Sequence, residues 1–251
     1  MAVVIFFFSI WYLSLFCQTF FHHRYASHAA FKMSKGAEKF FYVLSFITQG
    51  SSYLSPRAYA IMHRMHHAFT DTEKDPHSPS YSKNVVDMMW KTYVIYAGIS
   101  NRTAVVDPKF TKNVPDWPAF DKFAGSMWPR IFWSLCYFTF FWFFATAPWQ
   151  WLLLPPLLLM APVHGAIINW YAHKYGYESH EMNNTSKNLI PVDFLMLGES
   201  YHNNHHKFPS AINFGRKWHE LDPIYPIIRI LGAVHVIQLP KKGAAPEFTE
   251  W

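Results

Sequence analysis

The chain opens on an apolar run, residues 2–21, that contains no charged side chain. As a helix it is about long enough to cross a hydrocarbon core of roughly 30 Å. A cleavable leader is the competing reading of such a start. It lacks a basic lead-in, and no small-residue cleavage site follows: the next residues are Phe21-His22-His23-Arg24. Two more apolar runs, 131–147 and 151–172, are joined by Pro148-Trp149-Gln150, a link short enough only for a hairpin. Pro155, Pro156 and Pro162 predict that the second of these is kinked or partly irregular. Trp128, Trp149 and Trp151 fall where aromatic side chains meet a membrane boundary.

The run 40–59 is also long, but it carries Ser45, Thr48, Gln49, Gly50, Ser51, Ser52 and Ser55 and has basic residues on both flanks. Two basic flanks disfavour a crossing, so this run predicts a re-entrant or interfacial helix. Residues 100–130, with Pro108, Pro115, Pro118 and Pro129, predict a polar loop. One domain is expected over 1–239, followed by a disordered tail over 240–251.

Charge sharpens this pattern. Of the 22 Lys and Arg, 14 lie between Phe21 and Ile131 and 8 after His173; none lies in 1–21 or 131–173. A net charge of +6 suits nucleic acid, a membrane surface or an anionic substrate. Wholesale exclusion of charge from long aromatic runs points to membrane spans and away from nucleic acid. With these assignments every basic residue falls on one side of the membrane. The two cysteines, Cys17 and Cys136, both sit in apolar runs, which argues against a disulfide framework.

The chemistry lies in the 15 histidines. His63, His66 and His67 read H-R-M-H-H, and His202, His205 and His206 read H-N-N-H-H. Positions i, i+3 and i+4 share one helical face. Each triplet can therefore feed two neighbouring metal ions, the i/i+4 pair to one and the i+3 residue to the other. His23 and His28 are five apart, a spacing an ideal α-helix does not put on one face, and predict the end of the first helix between them. His173 follows the third span. Imidazole suits iron, copper, zinc and nickel, and this many imidazoles exceed the needs of one ion. His22, His77, His164, His180, His219 and His235 are read as ordinary surface or core residues, His164 as a buried hydrogen-bonded group within a span. A carboxylate-bridged di-iron bundle needs two E-x-x-H helices. Only Glu199 to His202 has that spacing, so Glu199 is expected to orient a ligand histidine instead.

These residues together resemble the membrane fatty acid desaturase family, specifically its acyl-CoA delta-9 branch. The resemblance is carried by His23-Arg24-Tyr25-Ala26-Ser27-His28, His63-Arg64-Met65-His66-His67, Asp75-Pro76-His77, Asn169-Trp170-Tyr171-Ala172-His173 with Tyr175-Gly176, Gly198-Glu199-Ser200-Tyr201-His202-Asn203-Asn204-His205-His206, and Phe208-Pro209. It covers about residues 5–215. It implies an all-α integral-membrane fold: about three spans, the re-entrant or interfacial helix, and a helical cap carrying the histidines toward the cytoplasm. It further implies two irons. His23, His28, His63, His67 and His205 would hold one; His66, His173, His202 and His206 would hold the other, with Asn169 acting through a water.

The implied reaction takes O2 and two electrons and removes two hydrogens from adjacent methylenes of a saturated fatty acyl chain. The electrons are expected from an external donor such as ferredoxin, cytochrome b5 or rubredoxin, since no His-Pro-Gly-Gly pattern is present and only two cysteines are. Family members commonly carry a further span before the first histidine box. The acyl-CoA branch tends to place tryptophan and charged residues before the second box. Here that segment is Pro56-Arg57-Ala58-Tyr59-Ala60-Ile61-Met62, which leaves lipid-borne or carrier-protein acyl groups open beside acyl-CoA. The competing functions are a membrane di-iron hydroxylase or alkane monooxygenase, and a haem or metal-binding membrane protein.

Overall fold

The computed structural model describes residues 1–240, so the tail expected from 240 lies, after Pro240, outside the described residues. Among the described residues the fold is helical apart from two short strands. Helix α1 (Ala2–Cys17) does not stop at the first histidines. It runs on as a ten-residue π-helix, Gln18–Ser27, and the whole unit Ala2–Ser27 is long and apolar enough to cross a membrane. This corrects the expected helix end between His23 and His28. A π-turn closes on i+5, and the His28 N–H donates to the His23 carbonyl at 3.2 Å. The wider turn thus gives the five-residue spacing a common face.

Two strands, β1 (Lys32–Met33) and, near the chain end, β2 (Ile237–Gln238), pair antiparallel. Between them in sequence the chain folds α2 (Lys35–Gln49) against α1 and reverses direction. Ser34 caps α2 by accepting from Ala37 N–H, and Ser55 with Pro56 starts α3 (Pro56–Phe69) in the same way at Ala58. The reversal needs Gly50: its φ is +53°, and the Tyr137 hydroxyl occupies the space of a Cβ. Gln49 Oε1 accepts from Leu54 N–H at 2.9 Å, and Arg130 donates to the Ser51 and Tyr53 carbonyls at 2.7 and 3.0 Å. The serines and glutamine that made 40–59 unsuitable as a span therefore build a turn. α3 returns beside the π-helix, tied there by buried Arg64, which donates to the Ser27 and Ala26 carbonyls at 2.7 and 3.2 Å.

Helix α4 (Val85–Ser100) has no counterpart in the sequence reading. The expected polar loop holds two short helices, α5 (Pro108–Thr111) and α6 (Pro118–Ala124), each begun by a proline in its first turn. Helix α7 (Met127–Phe144) takes the place of the expected 131–147 run. The third apolar run is broken: a 3-10 turn and α8 (Leu154–Leu158), then α9 (Met160–Asn169) and a turn to His173. The segments Pro148–Leu158 and Met160–His173 meet at 73°. The break is held by the α2–α3 turn: Ser51 Oγ donates to the Leu158 carbonyl at 3.1 Å, and Ala161 N–H donates to Ser52 Oγ at 3.3 Å. Helices α10 (His202–Lys207) and α11 (Ile224–Ala233) are the last helices among the described residues.

Val3, Phe7 and Trp11 of α1 pack with Tyr137, Phe141, Leu157 and Met160 in one apolar core. The opposite faces of α1 and α7 are also apolar: Ile5, Phe8 and Leu13, and Phe132, Leu135, Phe138 and Trp142, are exposed. A helix apolar all round is a buried or membrane-facing one.

Candidate metal centre

Nine histidine rings converge where the π-helix, α3, α9 and α10 meet. Their Nε2 atoms fall into two groups. In the first, His23 Nε2 lies 2.9 Å from His205, His28 lies 2.8 Å from His63, and His67 lies 3.0 and 2.9 Å from His63 and His205. In the second, His173 and His206 each lie 3.0 Å from His202, and His66 lies 3.2 Å from His206. α3 and α10 each send an i/i+4 pair to one group and the i+3 residue to the other.

These rings fit a metal better than they fit each other. Imidazole–metal bonds of about 2.0–2.1 Å at right angles put neighbouring nitrogens about 3 Å apart. The far side of the rings is fixed by acceptors. His23 Nδ1 donates to Glu199 Oε2 at 2.6 Å, and His66 Nδ1 donates to Asp75 Oδ1 at 2.9 Å. A neutral imidazole has one N–H, so these two rings must offer lone pairs at Nε2. Lone pairs aimed at one point repel unless a cation sits between them. His173 Nδ1 meets Thr185 Oγ1 at 3.2 Å, whose hydroxyl and N–H in turn contact Asp71.

Burial is the first cause holding the rings of His28, His63, His66, His67, His202, His205 and His206 well below the ordinary imidazole pKa, and mutual repulsion among the cluster adds to it. Burial lowers His173 as well, against the pull of Asp71 and Asp75. The rings are therefore uncharged at neutral pH, the form that binds metal. Glu199 shows the opposite balance. Burial disfavours its carboxylate, but His23, Arg24 and Thr19 outweigh burial and hold its pKa below the usual range. Arg24 also pairs with Asp222 at 2.6 Å.

Except for His77, the other histidines stand apart from these groups. His22 faces the Cys17 and Leu54 carbonyls, and His164 meets Gln18 Oε1 at 3.2 Å. His77 is buried against His66, ring centres 4.3 Å apart, and with Asp75 forms a third grouping around that ring. The His66 N–H is already given to Asp75, so this grouping supports His66 from behind. Asn169 lines a cavity together with His23, His63 and His202.

The fatty acid desaturase family model matches residues 1–237. The chain is 31% identical over 242 residues to the delta-9 desaturase-like 2 protein of Arabidopsis thaliana, covering 91% of this chain and 74% of that protein. It is 27% identical over 247 residues to the sn-1 stearoyl-lipid 9-desaturase of Synechocystis, covering 88% and 67%, and 29% identical over 230 residues to the delta-9 acyl-lipid desaturase 1 of Arabidopsis thaliana, covering 88% and 70%. The chain belongs to the fatty acid desaturase family. It is an oxidoreductase.

The desaturase holds its shortest histidine-bearing helix in place by a means not read from the sequence. A six-residue helix has no stability of its own. Asn188 Oδ1 accepts from the Asn203 and Asn204 N–H groups at 3.0 and 3.2 Å. Asn203 donates to the His180 and Ser186 carbonyls, and Asn204 to the Phe214 carbonyl and Glu220. The available signal was spacing: histidines at i, i+3 and i+4 leave i+1 and i+2 on the opposite face, so those positions must anchor the helix. Asp193 performs the same task for the loop carrying Glu199, accepting from the N–H groups of Met196, Gly198 and Ser200 at 2.8, 2.9 and 2.9 Å.

Proposed function

We propose that this desaturase introduces a delta-9-type double bond into a saturated fatty acyl chain at a di-iron centre, using O2 and two electrons from an external carrier such as ferredoxin, cytochrome b5 or rubredoxin. His23, His28, His63, His67 and His205 hold one iron; His66, His173, His202 and His206 hold the other, with Asn169 acting through a water. The observation that carries this reading is the convergence of nine Nε2 atoms into groups of five and four. Bound there, the irons supply oxygen activation and the removal of two hydrogens.

The chain's own residues position and insulate. Glu199 and Asp75 fix the tautomers of His23 and His66. The cavity beside His23, His63 and His202, with Tyr59, Met62 and Ile168 in its wall, excludes water and holds methylenes against the metal side. The reading places α1 with the π-helix, α7 and the broken α8–α9 unit as three spans of one domain over 1–239. The α2–α3 hairpin is re-entrant, and the histidines face the cytoplasm. The relatives' delta-9 names support the bond position.

Expression in a host lacking unsaturated fatty acids, followed by chromatography of its methyl esters, tests the reading. A new monounsaturated ester is the expected result. A hydroxylated ester, or no new product with iron, oxygen and donor present, would overturn it.

A further inference from the structure

The mouth of the cavity is informative. Its wall draws on the π-helix, α3, α4 and α9, but the lining residues that reach the surface are Tyr93 of α4 and Pro162 of α9. The remaining lining residues are buried or half-buried. The cavity therefore opens sideways, through the slot between α4 and α9. Across that slot a Cβ on Gly165 would meet Met89 Cε at 3.4 Å.

Tyr93 also belongs to a second feature. Val86, Trp90, Tyr93 and Val94 are 74, 65, 58 and 52% exposed. At i, i+4, i+7 and i+8 they form one continuous stripe on α4. An apolar stripe with tryptophan and tyrosine on an otherwise mixed helix suits the boundary layer of a bilayer. It leads directly into the slot.

Charge identifies what enters. Among the described residues, none of those lining the cavity is Lys or Arg. Lys91, on the same helix, is held by Asp87 at 2.9 Å and by the Tyr81 carbonyl at 2.7 Å. Coenzyme A carries a diphosphate and a further phosphate, and phosphates are recognised by cation clusters. An acidic carrier protein makes the same demand. An acyl chain esterified to a bilayer lipid makes no such demand, because its headgroup stays in the boundary layer.

We infer that the acyl group is presented on a membrane lipid and enters laterally between α4 and α9, with Tyr93 and Pro162 as doorposts and Gly165 facing Met89 across the slot. This departs from the acyl-CoA expectation, and it rests on the desaturase reading for what happens inside.

The test uses the full chain with its iron in nanodiscs containing phosphatidylcholine whose stearoyl chain bears a diazirine. Photolysis is expected to label residues of α4 and α9 around the slot. Labelling should survive an excess of stearoyl-CoA and fall roughly tenfold in Gly165→Trp, which fills the gap. Tyr93→Glu, a change at an exposed position, should reduce labelling in the same direction and guards against a folding failure of the first variant. Labelling abolished by stearoyl-CoA or by stearoyl carrier protein, or unchanged in both variants, would overturn the inference. Labelling in the slot without any double bond would uphold lateral entry and overturn the desaturase reading. Double bonds made from stearoyl-CoA at an unchanged rate in Gly165→Trp would do the reverse.

Discussion

His23 Nδ1 lies 2.6 Å from Glu199 Oε2 across 176 residues of chain. The contact joins the first histidine box to the loop before the third. It also sets which ring nitrogen of His23 is free. Replacing the carboxylate by an amide keeps the shape and removes the charge. Glu199→Gln is expected to lower iron affinity or turnover about 10–100-fold, measured as iron per chain against free iron and as product per iron. Unchanged values in both would show that Glu199 is only packing.

Group membership, rather than helix membership, should decide which substitutions are equivalent. His67 and His205 stand 2.9 Å apart on different helices, whereas His66 and His67 are sequence neighbours in different groups. Residues sharing one centre show non-additive effects. His67→Ala combined with His205→Ala should cost little more iron than either alone, and His67→Ala combined with His66→Ala should cost clearly more. Elemental analysis of the purified variants distinguishes the patterns.

Acid should weaken the metal-stripped protein. The folded-state pKa values of His28, His63, His66, His67, His202, His205 and His206 lie well below the usual imidazole value, burial being the main cause. Above about pH 6.5 both folded and unfolded rings are neutral, so stability there is undiminished. As pH falls further the unfolded chain takes up protons that the folded cluster refuses, and stability is lost toward the folded pKa values. Thermal unfolding in detergent should be flat above pH 7 and fall steeply below about 6.5. A midpoint that rises on acidification would contradict this account.

The asparagines of the third box are expected to matter for folding. Asn204→Ala leaves the buried Phe214 carbonyl and Glu220 short of a donor. The cost is about 1–3 kcal/mol, seen as a lower unfolding midpoint with the remaining iron still bound through nitrogen ligands. A midpoint equal to the parent would remove the anchoring role.

Legibility in the sequence followed the reach of each interaction. The split within each triplet, His63 and His67 from His66 and His202 and His206 from His205, is local geometry that spacing alone yields; which parts of the two triplets share a centre is implied only by the family resemblance. The link from Glu199 to a histidine was readable, but not which histidine, because His23 lies in another box. The π-helix escaped notice because a five-residue spacing reads as a helix end when only α-geometry is considered. The prolines of 151–172 announced a distortion. Its position at Leu159 depends on Ser51 and Ser52, about a hundred residues earlier in the chain. Helix α4 went unread because its outward stripe is apolar, which erases the alternation that marks an ordinary surface helix.

The uninterrupted passage from Ala2 to Ser27 puts His23 on one continuous rod and His28 at its end, while the other histidines of the cluster come from α3, α10 and the turn after α9. A bilayer thicker or thinner than the rod's apolar length tilts such a helix. Tilt of this rod would carry α3 with it, because Arg64 ties α3 to the Ala26 and Ser27 carbonyls, and would be felt at the contact between His23 and Glu199. The thickness of a bilayer around that rod, itself a product of acyl composition, would then bear on the geometry of the histidine cluster.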